Sequence, residues 1–190
     1  MTDYKHLYPF IIKWAGGLSK NTNDSASAYP CPDGSGNHTN KDVTWKAWEA
    51  IYGNSPESIA RWYAMSEDDW FSIFKPLYWD ACWADQINSQ RIADSIVEFV
   101  WGSGLHSPEK AIQQLLDEIF NEHLTIDGIP GQHTIDAINR EDEPTLYEDI
   151  MQRRAKYFKD LAATKPEDEE FLTGWMNRLN DLYKFEKENA

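Results

Sequence analysis

The chain has 190 residues, of which 18 are Lys or Arg and 32 are Asp or Glu, so its formal net charge at pH 7 is −14. This acidic balance argues against nucleic acids and anionic membranes as partners, because binding to phosphate groups needs a basic surface. Hydrophobic residues make up 41% of the chain and aromatic residues 14%, which excludes a disordered protein and favours a domain with a full core.

The sequence carries no segment typical of membrane insertion or export. Its apolar runs are shorter than the roughly 20 residues that a transmembrane helix needs. The amino-terminal segment MTDYKHLYPFIIKW has a short apolar run and no small-residue cleavage site, unlike a signal peptide. We therefore expect the protein to be made in the cytoplasm and to have no membrane span.

The first predicted element is a helix over residues 4–15, where apolar side chains recur at i, i+3, i+4 and i+7. Gly16 and Gly17 predict its end. A helix that ends in this way presents its last side chain to a cleft. Here that residue is Ala15, whose methyl group cannot take part in catalysis. Residues 19–42 are polar and predict a long loop, which we expect to be functional.

Further helical patterns follow one another to the end of the chain. Residues 43–51 predict a short aromatic helix, and Ser66 with Asp69 resembles a capping box. Four more helices are predicted around Ile92–Val100, from Ser107 and Pro108, from Pro144, and over residues 171–183. Alternating strand patterns are nearly absent, and residues 124–131 predict only a turn-rich connector. The sequence therefore predicts an all-α fold.

Neither the cysteines nor the histidines form a metal-binding pattern. Cys31 and Cys82 are too few for a disulfide framework, so we expect reduced thiols. None of the five His residues pairs with a Cys or a carboxylate at the spacing of a zinc site, and residues 33–42 lack the ligand spacing of a calcium loop. Glycine-rich phosphate loops are missing too. We expect no metal and no cofactor.

Carboxylates and aromatic rings near turns remain as candidates for chemistry. Asp24 lies nine residues beyond Ala15, and the polar loop ends in TNKDVT at 39–44. The segments YWD at 78–80 and FVWGSG at 99–104 place aromatic rings next to turns. Such rings stack on the apolar faces of sugars, although a single ring is more often part of a core. The sequence is compatible with a neutral, ring-shaped ligand such as a sugar.

Six motifs in order along residues 5–185 resemble glycoside hydrolase family 108, the phage-type N-acetylmuramidases. They are KWAGG, NTND, TNKDVT, YWDACWADQINSQRIADSIVEFVWGSG, LTIDGIPGQHTIDAIN and FLTGWMNRLND. Their order and spacing carry the resemblance, since each motif alone is weak. The resemblance implies a lysozyme-like helical fold, with a catalytic part over residues 1–107 and a helical peptidoglycan-binding part over residues 108–190. It also implies a monomer that binds the glycan strands of bacterial peptidoglycan.

The resemblance also assigns candidate site residues. Family members carry their catalytic Glu at the position of Ala15, and Asp24 corresponds to their second carboxylate. Thr39 or Thr44 would help to hold a water molecule. The family usually has Gly where this chain has Asp42. The residues expected to contact substrate are Asn40, Asp42, Tyr78, Trp79 and Trp101.

Glycoside hydrolysis needs a carboxylic acid that protonates the leaving oxygen. Because Ala15 cannot do this, we expect the chain to bind glycan and barely cleave it. Ala15 has two open explanations, a deliberate Glu-to-Ala substitution and a natural pseudoenzyme. The leading interpretation is an endolysin-type muramidase that cuts the β-1,4 bond between N-acetylmuramic acid and N-acetylglucosamine, acting on the cell wall after release. The alternatives are a non-catalytic wall-binding module and a secretion-linked wall-remodelling protein.

Overall fold

The structure, a computed structural model, describes residues 2–165 and 169–189. Contacts within the chain divide it into a hairpin unit, residues 8–77, and a helical unit, residues 1–7 with 78–190. The described residues contain nine α-helices and three short strands, which confirms the predicted all-α, lysozyme-like class. The predicted division of function between residues 107 and 108 stays a prediction.

The hairpin unit combines four helices with a small sheet. Its helices are α1 (Tyr8–Ala15), α2 (Trp45–Tyr52), α3 (Pro56–Tyr63) and α4 (Glu67–Phe74). Its two-residue strands β1 (Leu18–Ser19), β2 (Thr39–Asn40) and β3 (Val43–Thr44) pair antiparallel in the order β1–β2–β3. The segment predicted as a loop therefore contains strand residues at both ends and a 3₁₀ turn at Ser25–Ala28.

Helix boundaries in this unit follow local signals. α1 ends at Ala15, and Gly16 follows with a left-handed φ of 60°. α4 begins with the predicted capping box, in which Ser66 Oγ accepts from the Asp69 amide at 3.1 Å and the Asp69 carboxylate accepts from the Ser66 amide at 3.0 Å. α3 was not predicted, although Ser55 caps it and a proline follows.

A two-residue turn joins β2 to β3. Lys41 and Asp42 have φ angles of 49° and 61°, as in a type I′ hairpin turn. The turn is held in place because Lys41 Nζ donates to the Met65 carbonyl at 2.6 Å and Trp70 Nε1 donates to the Lys41 carbonyl at 3.1 Å. A Cβ is disfavoured at left-handed φ, which explains why glycine suits the position of Asp42.

Tryptophan rings fill the core of the hairpin unit. Trp45, Trp48, Trp62 and Trp70 are all fully buried. Trp45 meets Trp62 edge to face with ring centroids 5.4 Å apart, and Trp70 stacks on Phe74 at 4.7 Å. Since burying one large apolar side chain contributes about 1.5–3 kcal/mol, these rings supply much of the stability of the unit.

The helical unit consists mainly of five helices. They are α5 (Gln90–Ser103), α6 (His106–Phe120), α7 (Gln132–Arg140), α8 (Glu143–Thr164) and α9 (Glu169–Glu188). α5 ends at Ser103, directly before Gly104. α6 begins at His106, ahead of the predicted start at Ser107 and Pro108, and α7 was not predicted. In the part of the chain that the structure describes, no helix combines the length and apolar character needed to cross a membrane.

α5 is the central helix of this unit, since every residue from Ile92 to Val100 is buried. Its Glu98 pairs with Arg154 of α8 and with Arg178 of α9, whose Nε lies 2.6 Å from Oε1. Burial alone would raise the pKa of Glu98, but the two guanidinium groups outweigh it and lower the pKa. Because removing one member would leave a buried charge unpaired, this cluster fixes α5 against α8 and α9.

Among the described residues, no cationic partner stands beside a second buried carboxyl group of the unit. Glu109 of α6 is 1% exposed and lies beside the thiol of Cys82, which is free and buried like that of Cys31. Within the described residues its Oε1 lacks a hydrogen-bond partner. Burial raises the pKa of Glu109 to about 7, so the folded chain keeps a proton there that the unfolded chain releases near pH 4.5.

Glycine at position 42 should stabilise the hairpin relative to alanine. Both substitutions remove the carboxylate, but only Asp42→Gly relieves the left-handed φ of 61°. We expect the free energy of unfolding, measured in urea, to be about 1 kcal/mol larger for Asp42→Gly than for Asp42→Ala. Equal stabilities of the two variants would contradict the assigned turn.

Glu109 should make the stability of the chain fall as pH rises. Between about pH 4.5 and pH 7 the folded state binds one more proton than the unfolded state, so stability decreases through this window and levels off above it. Glu109→Gln should remove this decrease and be more stable than the unchanged chain by on the order of 2–3 kcal/mol at pH 8, with little difference at pH 4.5. Urea unfolding at both pH values measures this.

The control is Glu118→Gln, at an exposed position on the same helix, where the carboxylate pairs with Arg153 of α8. This change removes a surface ion pair and should not abolish the decrease in stability between about pH 4.5 and pH 7. If Glu109→Gln follows the same pH curve as the unchanged chain, Glu109 is not a buried, protonated group.

Candidate active site

Position 15, the predicted place of the catalytic side chain, is the last residue of α1. The buried side chains of Phe10 and Ile11 anchor this helix. Ala15 itself is half-buried, whereas Gly16 and Gly17 are exposed and have open space where a Cβ would stand. The chain therefore leaves the core directly after position 15.

Asp24 begins the 3₁₀ turn and is held there by several hydrogen bonds. Its Oδ1 accepts from the Ala26 amide at 2.8 Å, which is the geometry of a helix cap. The Asp24 amide donates to the Asn21 carbonyl at 3.1 Å, and the Asp24 carbonyl accepts from the Ser27 amide at 2.9 Å. The side chain is 40% exposed, so a ligand can reach a carboxylate whose backbone is fixed.

His38 lies next to Asp24 and was not predicted as a site residue. Its side chain is fully buried, with Nε2 3.5 Å from Oδ2 of Asp24. Among the described residues, no group makes a hydrogen bond of normal geometry to either ring nitrogen. The backbone of His38 links two segments, because its amide donates to the Ser19 carbonyl at 3.0 Å and its carbonyl accepts from the Trp45 amide at 2.8 Å. Its only signal in the sequence is its place directly before Thr39.

The two predicted threonines lie side by side in the sheet. The strand register aligns Ser19 with Thr39 and Thr39 with Thr44. Neighbours aligned across antiparallel strands share a face of the sheet, so three hydroxyl groups form a row. Thr44 Oγ1 also accepts from the Ala47 amide at 3.1 Å and so caps α2, which gives this residue a structural role. The role of Thr39 or Thr44 in holding a water molecule stays a prediction.

The predicted substrate contacts Asn40 and Asp42 belong to the hairpin. Asn40 is 5% exposed, and its Nδ2 donates to the Trp62 carbonyl at 2.6 Å. This amide ties β2 to α3, so the structure gives no support for a substrate contact by Asn40. Asp42 is half-buried in the turn, and its contact with substrate stays a prediction.

The three predicted aromatic residues differ in exposure. Tyr78 and Trp101 are both half-buried, with ring centroids 4.5 Å apart and ring planes inclined by 58°. Trp79 is fully buried, and its Nε1 donates to Asp85 Oδ1 at 2.7 Å. The prediction that Trp79 contacts substrate is wrong, because none of its ring is exposed to a ligand.

An exposed ring that the sequence analysis missed belongs to Trp83. This residue is 37% exposed and has a φ of 54°, which is rare for a bulky side chain. With Asp80, Asp85 and Gln86 it lines a cavity of about 210 Å³. Trp79 ends a five-residue π-helix, Lys75–Trp79, and Trp83 precedes a three-residue 3₁₀ helix. Such short elements show no periodicity in the sequence that could tell that Trp79 points inward and Trp83 outward.

A cluster of His6, Asp94 and Glu186 lies in the helical unit, with one potential ligand atom of each within 4.8 Å of the others. His6 Nδ1 is only 2.6 Å from Asp94 Oδ2, whereas two ligands of one tetrahedral zinc ion stand roughly 3.3 Å apart. Burial and the charge of Asp94 raise the pKa of Glu186 to about 8, so Glu186 keeps a proton at pH 7. These distances and charges fit a hydrogen-bonded network between the amino-terminal segment, α5 and α9.

Two carboxyl groups among the described residues have a pKa raised to about 7 or above, the range that a general acid needs, but neither is accessible. The pKa values are about 7 for Glu109 and about 8 for Glu186, and burial is the main cause of both. Their exposed fractions are 1% and 3%, so neither can touch a glycan. A cavity of about 370 Å³ is lined by Glu186 and not by Ala15 or Asp24. Neither carboxyl group replaces the acid that is missing at position 15.

Two family models match the sequence of this chain. The sequence matches the family model of Glycosyl hydrolase 108 over residues 8–104 and that of a predicted peptidoglycan domain over residues 107–180. A search of curated proteins finds no match.

The fold is also similar to a solved structure, that of Brucella abortus SagA. The TM-score is 0.71, and the alignment covers 94% of this chain and 90% of that chain at 18% sequence identity. At this identity the similarity establishes the fold alone. The glycosyl hydrolase match spans just over half of the sequence and includes positions 15, 24 and 39. The chain therefore belongs to glycosyl hydrolase family 108.

Proposed function

We propose that the chain has the framework of a peptidoglycan muramidase that cleaves the β-1,4 bond between N-acetylmuramic acid and N-acetylglucosamine, and that Ala15 makes it inactive. Family membership and the predicted peptidoglycan domain support hydrolysis of peptidoglycan in general. The finer assignment rests on one observation: α1 ends at position 15, and a partly exposed carboxylate, Asp24, follows on a fixed backbone.

Position 15 suits a general acid. A Glu at this residue would stand at the carboxyl end of α1, where the partial negative charge of the helix disfavours a second negative charge. It would also be partly desolvated, since the position is half-buried. Both effects raise the pKa of a carboxyl group, which a residue needs in order to protonate a leaving oxygen at neutral pH.

Asp24 suits the second carboxylate. One of its oxygens is committed to the Ala26 amide at 2.8 Å, and the side chain is 40% exposed. In this role it stabilises the positive charge that develops at the anomeric carbon or orients the attacking water. Thr39 or Thr44, in the hydroxyl row of the sheet, assists in holding that water.

The second candidate function is a non-catalytic glycan-binding protein, and Ala15 itself is the observation that favours it. In this case the half-buried rings of Tyr78 and Trp101 would still bind sugars, because stacking on a sugar needs no proton donor. In either function the protein acts on the cell wall as a monomer, after release from the cytoplasm.

Restoring the acid should restore hydrolysis. The variant Ala15→Glu, added to purified peptidoglycan, should release reducing ends at least ~10²-fold faster than the unchanged chain. Ala15→Gln is the matched control, since it has nearly the same size and no proton to donate, and it should stay at the rate of the unchanged chain. In the Ala15→Glu background, Asp24→Asn should abolish the gain.

Mass spectrometry of the products identifies which glycosidic bond is cleaved. Reducing N-acetylmuramic acid ends support a muramidase, whereas reducing N-acetylglucosamine ends or anhydro-muramic products would contradict this assignment. If Ala15→Glu releases nothing at any pH while it still binds peptidoglycan, the non-catalytic function is correct.

Peptidoglycan binding by the unchanged chain should depend on the half-buried rings of Tyr78 and Trp101. We expect Trp101→Ala to weaken sedimentation of the unchanged chain with peptidoglycan by about 2- to 10-fold, because one aromatic stacking contact is lost. Trp83→Ala is the matched control, with an exposed tryptophan in the same unit. Weaker binding for Trp83→Ala and unchanged binding for Trp101→Ala would move the stacking surface to Trp83.

A further inference from the structure

His38 is a buried polar side chain that neither the core nor the assigned site residues explain. A neutral imidazole carries one N–H group, and burying such a donor without an acceptor costs about 1–3 kcal/mol. No described residue forms a hydrogen bond of normal geometry with either ring nitrogen, and the charged group beside the ring is the carboxylate of Asp24, with Oδ2 3.5 Å from Nε2. An N–H group on Nε2 would therefore have Asp24 as its nearest charged acceptor.

His38 has little freedom to move away from this carboxylate. Its amide is bonded to the Ser19 carbonyl and its carbonyl to the Trp45 amide, at 3.0 and 2.8 Å. The side chain is fully enclosed. The imidazole thus approaches Asp24 from the protein side, while the exposed part of the Asp24 carboxylate stays open to a ligand.

The two oxygens of Asp24 then have separate partners. Oδ1 accepts from the Ala26 amide at 2.8 Å, and Oδ2 faces Nε2 of His38. Donors at both oxygens fix the orientation of the carboxylate. A bound glycan would exclude water and strengthen the longer of the two contacts, since catalytic hydrogen bonds often tighten only in the complex.

We propose that His38 is a positioning residue for the glycosidase reaction, which donates from Nε2 to Oδ2 of Asp24 and so holds the second carboxylate in its working orientation. This inference rests on the proposed function of Asp24. His38 touches no substrate in this arrangement and acts only through Asp24.

The first test reads the proton on the ring and needs no activity. In the unchanged chain labelled with ¹⁵N-histidine, the nitrogen shifts of His38 should show Nε2 carrying the proton, with its signal assigned by its loss in His38→Gln. Asp24→Ala should shift this resonance and speed its exchange with water, whereas the other four histidines should not change. A proton found on Nδ1 instead would overturn the inference.

The second test measures hydrolysis in the Ala15→Glu background. His38→Phe keeps a buried ring without a donor and should lower kcat roughly 10- to 100-fold with KM within about twofold, because a misplaced catalytic group costs rate and not binding. His38→Gln retains a side-chain N–H at similar reach and should recover most of the lost kcat. His133→Phe, at an exposed position on α7, is the control and should be without effect.

The outcomes separate the two proposals. An active Ala15→Glu chain whose kcat survives His38→Phe overturns the role of His38 and leaves the proposed function intact. Equal losses for His38→Phe and His38→Gln, with lowered melting temperatures in both, assign His38 to structure alone and also overturn it. An inactive Ala15→Glu chain rejects the proposed function and the catalytic role of the pair together, even where the nitrogen shifts show the bond to Asp24.

Discussion

The candidate active site depends on the hydrogen bonds that hold the backbone of His38, directly before β2. The amide of His38 is bonded to Ser19, two residues after the glycine pair that ends α1, and its carbonyl is bonded to Trp45, the first residue of α2. The end of one helix and the start of the next are therefore joined through one backbone position. Because the tryptophan core packs α2 and α3 together, this arrangement does not rely on flexible side chains.

The rules that predicted helix ends are local, and they succeeded where the signal was local. Gly16 after an apolar helix and Ser66 with Asp69 each specify a backbone conformation by themselves. The strands have only two residues each, which is too short for the alternating pattern that predicts a strand. The sheet could therefore not be predicted from the sequence. The burial of Trp79 and the exposure of Trp83 are likewise decided by tertiary packing, which a single sequence does not contain. The same holds for the contact between His38 and Asp24.

Ala15 removes the proposed general acid but leaves the arrangement of the other site residues intact. A Glu at the end of α1 would carry its charge at the unfavourable pole of the helix and in a half-buried place, which is useful for a general acid and costly for stability. Alanine removes this conflict and leaves the hydrogen bonds of Asp24 untouched. The proposed loss of activity therefore requires no disruption of the fold, and the remaining residues are expected to keep their arrangement for glycan binding.

A crystal structure of the unchanged chain soaked with a peptidoglycan tetrasaccharide would test most directly whether position 15 and Asp24 form the active site. The experiment is possible because the unchanged chain should bind this substrate without cleaving it. We expect an intact glycosidic oxygen within the reach of a glutamate side chain from position 15, with the neighbouring anomeric carbon facing Asp24. A tetrasaccharide bound solely to the helical unit, with no sugar near position 15, would contradict it.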